Sequence, residues 1–160
     1  MEPIKTLLAC WDEATEVAVK TLGPQFSIWV AHTLAEAERE LRTQRYDLIV
    51  ATIRFDESRP LDLAPLAKQH ATPLTLVRFG VSKLPKELVD AVFLAARSLG
   101  CSATHDLTVR SRLIGPEAAL AEMRMALRAA AIPGDEDPAD AAELLMAQSS
   151  PSSSNAPPFL

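Results

Sequence analysis

Asp12 and Glu13 stand side by side behind an apolar run, and adjacent carboxylates in such a place can hold a hard divalent cation. Asp56 and Glu57 follow a later apolar run, flanked by Arg54 and Arg59, and Arg78 closes another. A guanidinium there could pair with carboxylates or with phosphate oxygens through charge-assisted hydrogen bonds. Thr52, His105 and Asp106 complete the polar residues at the ends of apolar runs. Cys10 and His105 are the residue types of a thiol nucleophile and its base. His32, His70 and His105 lack metal-ligand spacing, so no metal is expected. Gly23, Gly80, Gly100, Gly115 and Gly134 are isolated, and neither GxGxxG nor the P-loop pattern occurs. Without bare backbone donors at a glycine-rich turn there is no phosphate cradle, and no cofactor is expected.

The elements that must position these residues follow from hydrophobic periodicity. Ile4 to Trp11 reads as a buried strand, and Asp12 as the cap of a helix to Leu22 with Ala14, Val17, Ala18 and Thr21 inward. Phe26 to Ala31 is a second strand. Thr33 and Glu36 form a capping box opening a helix whose inward stripe is Leu34, Ala37 and Leu41. Asp47 to Ile53 is a third strand, Arg54 to Leu61 a polar loop, and a short helix capped by Asp62 follows. Pro73 to Phe79 is a fourth strand. Ser82 precedes a helix to Leu99 with Leu88, Ala91, Val92, Ala95 and Leu99 inward. Ser102 to Leu107 is a weak fifth strand. Gly115-Pro116 opens a last helix to about Ala131, its stripe Ala119, Met123, Ala126, Leu127 and Ala130.

Strict strand–helix alternation with short connections requires parallel strands and right-handed crossovers. The expectation is an α/β fold, a five-stranded parallel sheet in the order 2-1-3-4-5 with helices on both faces (flavodoxin-like). Such sheets work at the carboxyl ends of their strands. In that order, the strands carrying Cys10 and His105 are separated by two others, which argues against a thiol–base pair. Trp11 and Trp29 read as core or rim aromatics.

The chain has 160 residues, 48% hydrophobic and 23% charged, which suits one domain with a substantial core. Residues 1–131 are read as that domain. From Ala129 on there are five acids (Asp135, Glu136, Asp137, Asp140, Glu143) and no Lys or Arg. Residues 132–160 therefore read as an acidic, then Pro/Ser-rich, disordered tail, with a possible short helix over 139–148. The net charge of −5 belongs wholly to this tail, and the body is neutral, unlike a nucleic-acid binder with a basic face. No run of about 18 apolar residues suggests a membrane span. The first residues carry no secretory-signal pattern, and two cysteines suit a reducing compartment, so a cytoplasmic location is expected.

Several strings, in order and spacing, resemble the receiver domains of bacterial response regulators: KTLLACWDE, YDLIVATI, TPLTLVRFG and SLGCSATHDL. The likeness runs from Ile4 to Ala131 and implies the 2-1-3-4-5 fold and a role in two-component signalling. The family's active residues do not carry over. Its phosphorylated Asp falls on Thr52, its switch Ser/Thr on Arg78, and its Lys-Pro on Leu107-Thr108. The first-strand acid pair persists as Asp12-Glu13, unless that strand ends a residue or two earlier, which puts Cys10-Trp11 there. Threonine cannot form an acyl phosphate. The resemblance thus implies a degenerate receiver, a non-enzymatic protein–protein interaction module independent of Asp phosphorylation. Its degenerate pocket is Asp12, Glu13, Thr52 and Arg78, with Arg78 paired to the acids in place of the missing cation. Its docking face is Arg97, Arg110, Arg112, Arg124 and Arg128, on which the tail could fold back. Two alternatives remain: a receiver phosphorylated on Asp56, and a small enzyme or ligand-binding protein using a crevice lined by His105, Asp12 and Asp56. The expected partner is a protein, with neither nucleic acid nor membrane involved.

Overall fold

In the computed structural model, residues 2–80 and 83–131 are described. The expected tail at 132–160, with its helix at 139–148, lies outside them, as does Ser82. Five strands form one sheet: β1 (Ile4–Ala9), β2 (Phe26–Ala31), β3 (Leu48–Ala51), β4 (Leu74–Arg78) and β5 (Ala103–Asp106). Their order is β2-β1-β3-β4-β5, and every pairing is parallel. The helices are α1 (Thr15–Leu22), α2 (Leu34–Thr43), the single turn α3 (Phe55–Ser58), α4 (Leu63–Gln69), α5 (Lys86–Ser98), α6 (Leu107–Ile114) and α7 (Pro116–Ala131).

Each strand is short and apolar because the sheet is covered on both sides. Alternate residues feed two cores. Leu7, Ala9, Ile49, Ala51 and Leu76 pack with Ala37 and Leu41 of α2, Leu63 and Ala67 of α4, and Val89, Phe93 and Ala96 of α5. On the other face Ile4, Leu8, Val50 and Val77 pack with Ala18 and Leu22 of α1 and Met123, Leu127 and Ala131 of α7.

Several local readings need correction. β1 stops at Ala9, not Trp11, because its ladder partners Ala31 and Ala51 are themselves the last residues of β2 and β3. Asp12 caps nothing with its side chain; Asp12–Ala14 form a 3-10 turn that leads into α1. Val17 is 41% exposed, and Ala14, Ala18 and Leu22 carry the inward stripe. The capping box is half as expected. Thr33 Oγ1 accepts from the Glu36 amide at 3.1 Å, but Glu36 reaches back to the His32 amide at 2.7 Å, one residue before the cap.

The loop after β3 is not simply polar, since Phe55 is fully buried. Beyond it Asp56, Glu57 and Ser58 have φ of 43°, 56° and 65°, a left-handed turn built without glycine. Such residues cost roughly 1 kcal/mol or more each, so burial of Phe55 and the hydrogen bonds of Asp56 must offset the strain. The α5 stripe is rotated from the expected one: Val89, Phe93 and Ala96 are buried, whereas Leu88 and Leu99 are 45% and 54% exposed. In α7, Ala119, Met123 and Leu127 are buried as expected, but Ala131 is buried where Ala126 and Ala130 are only partly so. α6 was not anticipated. It starts where Asp106 ends β5 and caps the helix, its Oδ1 accepting from the Val109 amide at 3.1 Å.

Candidate functional site

Function in an open parallel sheet is expected at the carboxyl ends of its strands, beside the point where the order reverses, here between β1 and β3. The residues that follow β1 are Cys10 and Trp11. Cys10 is fully buried, and its Sγ lies 3.4 Å from Thr15 Oγ1. Burial pushes its thiol pKa up, which makes it a poor nucleophile. Trp11 packs against the α1–α7 core, and the Arg54 guanidinium lies 5.5 Å from its ring centroid.

Asp12 and Glu13 therefore do not occupy the strand end. The Asp12 side chain is 86% exposed and meets His32 Nε2 at 3.0 Å. The other ring nitrogen, Nδ1, lies 2.9 Å from the Cys10 carbonyl oxygen. His32 thus ties the β1–α1 connection to the end of β2, a link that the sequence did not announce.

Thr52 follows β3 directly. Its amide donates to the Ala9 carbonyl at 3.0 Å, the residue is 6% exposed, and its Oγ1 has no partner. Arg78 ends β4 in register with Asp106 of β5. Its Nη1 donates to Asp106 Oδ2 at 3.3 Å, with side chains only 14% and 16% exposed. The expected pairing of Arg78 with Asp12 and Glu13 is therefore replaced by one with Asp106. The reason is register: a β4–β5 neighbour on the same face is closer than any residue across β3.

Asp56 is already engaged. Its Oδ2 accepts from the Leu34 amide, which starts α2, and from Arg59 Nη2, both at 2.8 Å. The Leu34 bond first, and Arg59 second, hold its carboxyl below the usual aspartate range. A lowered folded value means that its contribution is present above the unfolded value, about pH 4, and lost as pH falls through the folded value. Asp56→Ala is expected to cost about 1–2 kcal/mol at neutral pH. In thermal melts from neutral to acid pH, the gap to the parent should close on acidification; a gap independent of pH refutes the assignment.

His105 lies on β5, separated from β1 by β3 and β4, beside Val77 of β4. Burial lowers its pKa, partly opposed by Glu122, and its Nε2 has no partner. Cys10 and His105 do not meet, and Asp12, Asp56 and His105 each belong to a different local arrangement. Among the described residues, no group of three His, Cys, Asp or Glu side chains could hold a metal ion. A cavity of about 450 Å³ opens at the opposite end of the sheet, lined by Ala64, Ala67, Lys68, Leu99 and Cys101 among others.

No family model and no curated protein matches the sequence. Solved structures do match. A two-component response regulator from Clostridium difficile superposes with TM-score 0.55 at 19% identity, covering 78% of this chain and 96% of its own. A response regulator from Thermotoga maritima gives 0.55 at 14%, covering 80% and 99%. An orphan response regulator of H. pylori gives 0.53 at 15%, covering 78% and 96%. The fold is that of a receiver domain.

In this receiver-like domain the five arginines expected to form one docking face are dispersed. Arg97 of α5 donates to Thr104 Oγ1 at 2.9 Å, beside β5. Arg110 of α6 makes a two-pronged pair with Glu122 of α7. Arg112 is exposed on α6. Arg124 reaches the Thr21 carbonyl at 2.9 Å and packs over Gly23, whose φ of 80° and close guanidinium leave little room for a Cβ. Arg128 meets Gln25 Oε1 at 3.0 Å. The last two thus face the α1–β2 connection, away from β5. What the sequence missed on this side is apolar: Leu88, Leu94 and Leu99 of α5 and Leu113 of α6 are exposed. The signal was present in α5, whose apolar residues outnumber what one buried face can take. No helix among the described residues is long and apolar enough to cross a membrane.

Proposed function

We propose that this receiver-like domain is a non-enzymatic protein–protein interaction module of bacterial signalling or regulation that works without aspartyl phosphorylation. One observation carries the reading: at the end of β3, where an aspartyl oxygen would have to attack, stands the buried hydroxyl of Thr52. Phosphoryl transfer to a receiver needs a carboxylate nucleophile and carboxylates around a divalent cation. Cys10 and Trp11 follow β1 instead of acids, and Asp12 points to solvent. The cation of Arg78 is bound to Asp106, which favours one fixed arrangement of the strand ends. Asp56 is spent on the start of α2, so the reading that makes it a displaced phosphoacceptor loses its carboxylate. The fold itself is one found in signalling proteins.

Beryllofluoride, a phosphoryl mimic, tests this in the full chain. With magnesium, amide spectra are expected to show no saturable shifts at Cys10, Thr52, Asp56 or Arg78. Magnesium-dependent shifts centred on Asp56 would overturn the proposal in favour of a working receiver.

A further inference from the structure

The amino end of the sheet carries a groove that none of the described residues fills. Its larger part is the cavity of about 450 Å³ between the ends of α4 and α5. Ala64, Ala67, Leu74, Leu99 and Cys101 line it, together with the exposed Lys68. A second cavity of about 110 Å³, lined by Gln44, Arg45, Tyr46 and His70, shares Ala71 and Thr72 with the first. The two form one continuous groove, polar at the Arg45 end and apolar at the Leu99 end. Backbone acceptors at the helix ends are already taken. Ala67 and Lys68 accept from the Thr72 and Ala71 amides, and Ala96 and Arg97 from the Cys101 and Gly100 amides. No carboxylate lines either cavity. Neither Arg45 nor Lys68 has an ion-pair partner among the described residues. Such a groove suits a segment in which acids are followed by apolar side chains.

The chain itself supplies one. Asp140 and Glu143 precede Leu144, Leu145 and Met146, and no Lys or Arg occurs from Ala129 onward. The point of departure is also right. α7 ends at Ala131, which belongs to the same core cluster as Ile4, the first residue of β1. The Arg45 end of the groove lies beside that strand, because the Asp47 amide donates to the Lys5 carbonyl at 2.8 Å. The nine steps from Ala131 to Asp140 span up to about 30 Å when extended. β4, where the apolar part begins, is two strands from β1, about 10 Å. The chain therefore reaches the Arg45 end first, acids before leucines, and the order of side chains along the segment matches the order of surfaces along the groove. Tethering adds an effective concentration on the order of mM.

We propose that this groove is the docking site of residues 140–146 of the same chain. Asp140 lies beside Arg45, Glu143 beside Lys68, and Leu144, Leu145 and Met146 occupy the apolar cavity over Cys101. The contact closes the α4–α5 end of the domain to other partners. It concerns the end of the sheet opposite Thr52 and stands whether or not that site takes a phosphoryl group.

Alkylation of the full chain with iodoacetamide, followed by peptide mass mapping, reads the docking through Cys101. Replacing both leucines, Leu144→Ser with Leu145→Ser, should speed modification of Cys101 at least about tenfold, because the apolar contact that holds the segment is gone. Lys68→Glu should speed it about threefold. A carboxylate there lowers the thiolate fraction and by itself slows the reaction, so acceleration reports release of the segment. Adding Glu143→Lys to Lys68→Glu should return the rate to near the parent's. Cys10 is fully buried and should stay unmodified throughout, which monitors the fold. The parent's rate should be the same at about 10 µM and about 500 µM, as a tethered contact requires. A Cys101 rate indifferent to the leucine substitutions overturns the proposal, as does a charge swap that fails to restore it. An acceleration that Cys10 shares also overturns it, since the whole domain is then opening. So does a parent rate that falls with protein concentration, which puts the tail of a second copy in the groove.

Discussion

Arg78→Ala is expected to lower stability by about 2–3 kcal/mol, whereas Arg54→Ala, an exposed cation stacked on Trp11, should cost no more than about 1 kcal/mol. Removing Arg78 leaves the Asp106 carboxylate, with a side chain only 16% exposed, held by a single Val109 amide. A fully buried pair would lose more, and the position of this one at the rim of the sheet reduces the loss. Asp106→Ala should be at least as damaging, because it removes the cap of α6 as well as the partner of Arg78. The two changes together should cost clearly less than their sum, since neither charge is then left alone. Thermal or urea unfolding of the three variants and Arg54→Ala checks this. Equal midpoints for Arg78→Ala and Arg54→Ala would remove the ion pair from any account of how the strand ends are held.

Thr52→Asp restores the residue type that the receiver resemblance places there, and it is expected to destabilise the fold rather than revive the chemistry. The site is 6% exposed, Asp12 is turned to His32, Arg78 is paired with Asp106, and no group of three His, Cys, Asp or Glu side chains among the described residues could hold a metal ion. A carboxylate buried in such surroundings costs about 2–4 kcal/mol at neutral pH and resists ionisation. A raised folded pKa makes the penalty grow with pH above the unfolded value of about 4, and the variant should approach the parent as pH falls toward it. Incubation with acetyl phosphate and magnesium should give no covalent adduct by intact mass. A stable variant that gains a phosphoryl group would mean that the surrounding pocket still binds a metal, and that Thr52 alone silences it.

The architecture was legible because its determinants are local. Alternating apolar runs and capped helices gave five strands with helices between them, and short connections force parallel crossovers. Thr52 was singled out by the receiver-like string YDLIVATI, five residues after Asp47, although the strand expected to run to Ile53 ends at Ala51. The Thr33 cap and the Pro116 start of α7 followed from hydrogen-bonding groups within a few residues. α5 was harder. Its composition offers two stripes of the same period, and nothing within the helix says which one meets the sheet. The expected stripe, through Leu88 and Leu99, proved to be the outward one. α6 was missed because a helix with no buried residue leaves no amphipathic signature.

By itself, then, the sequence determined the order of elements, the parallel sheet and the absence of a carboxylate where β3 ends, all of them consequences of neighbouring residues. Only the tertiary structure decided where β1 stops, that Asp12 turns outward to His32, that Arg78 answers to Asp106, and that Asp56 serves the start of α2. Each of these joins residues 20 or more apart along the chain, or depends on strand register, and register is set by how whole strands bury their faces rather than by any residue's own preference.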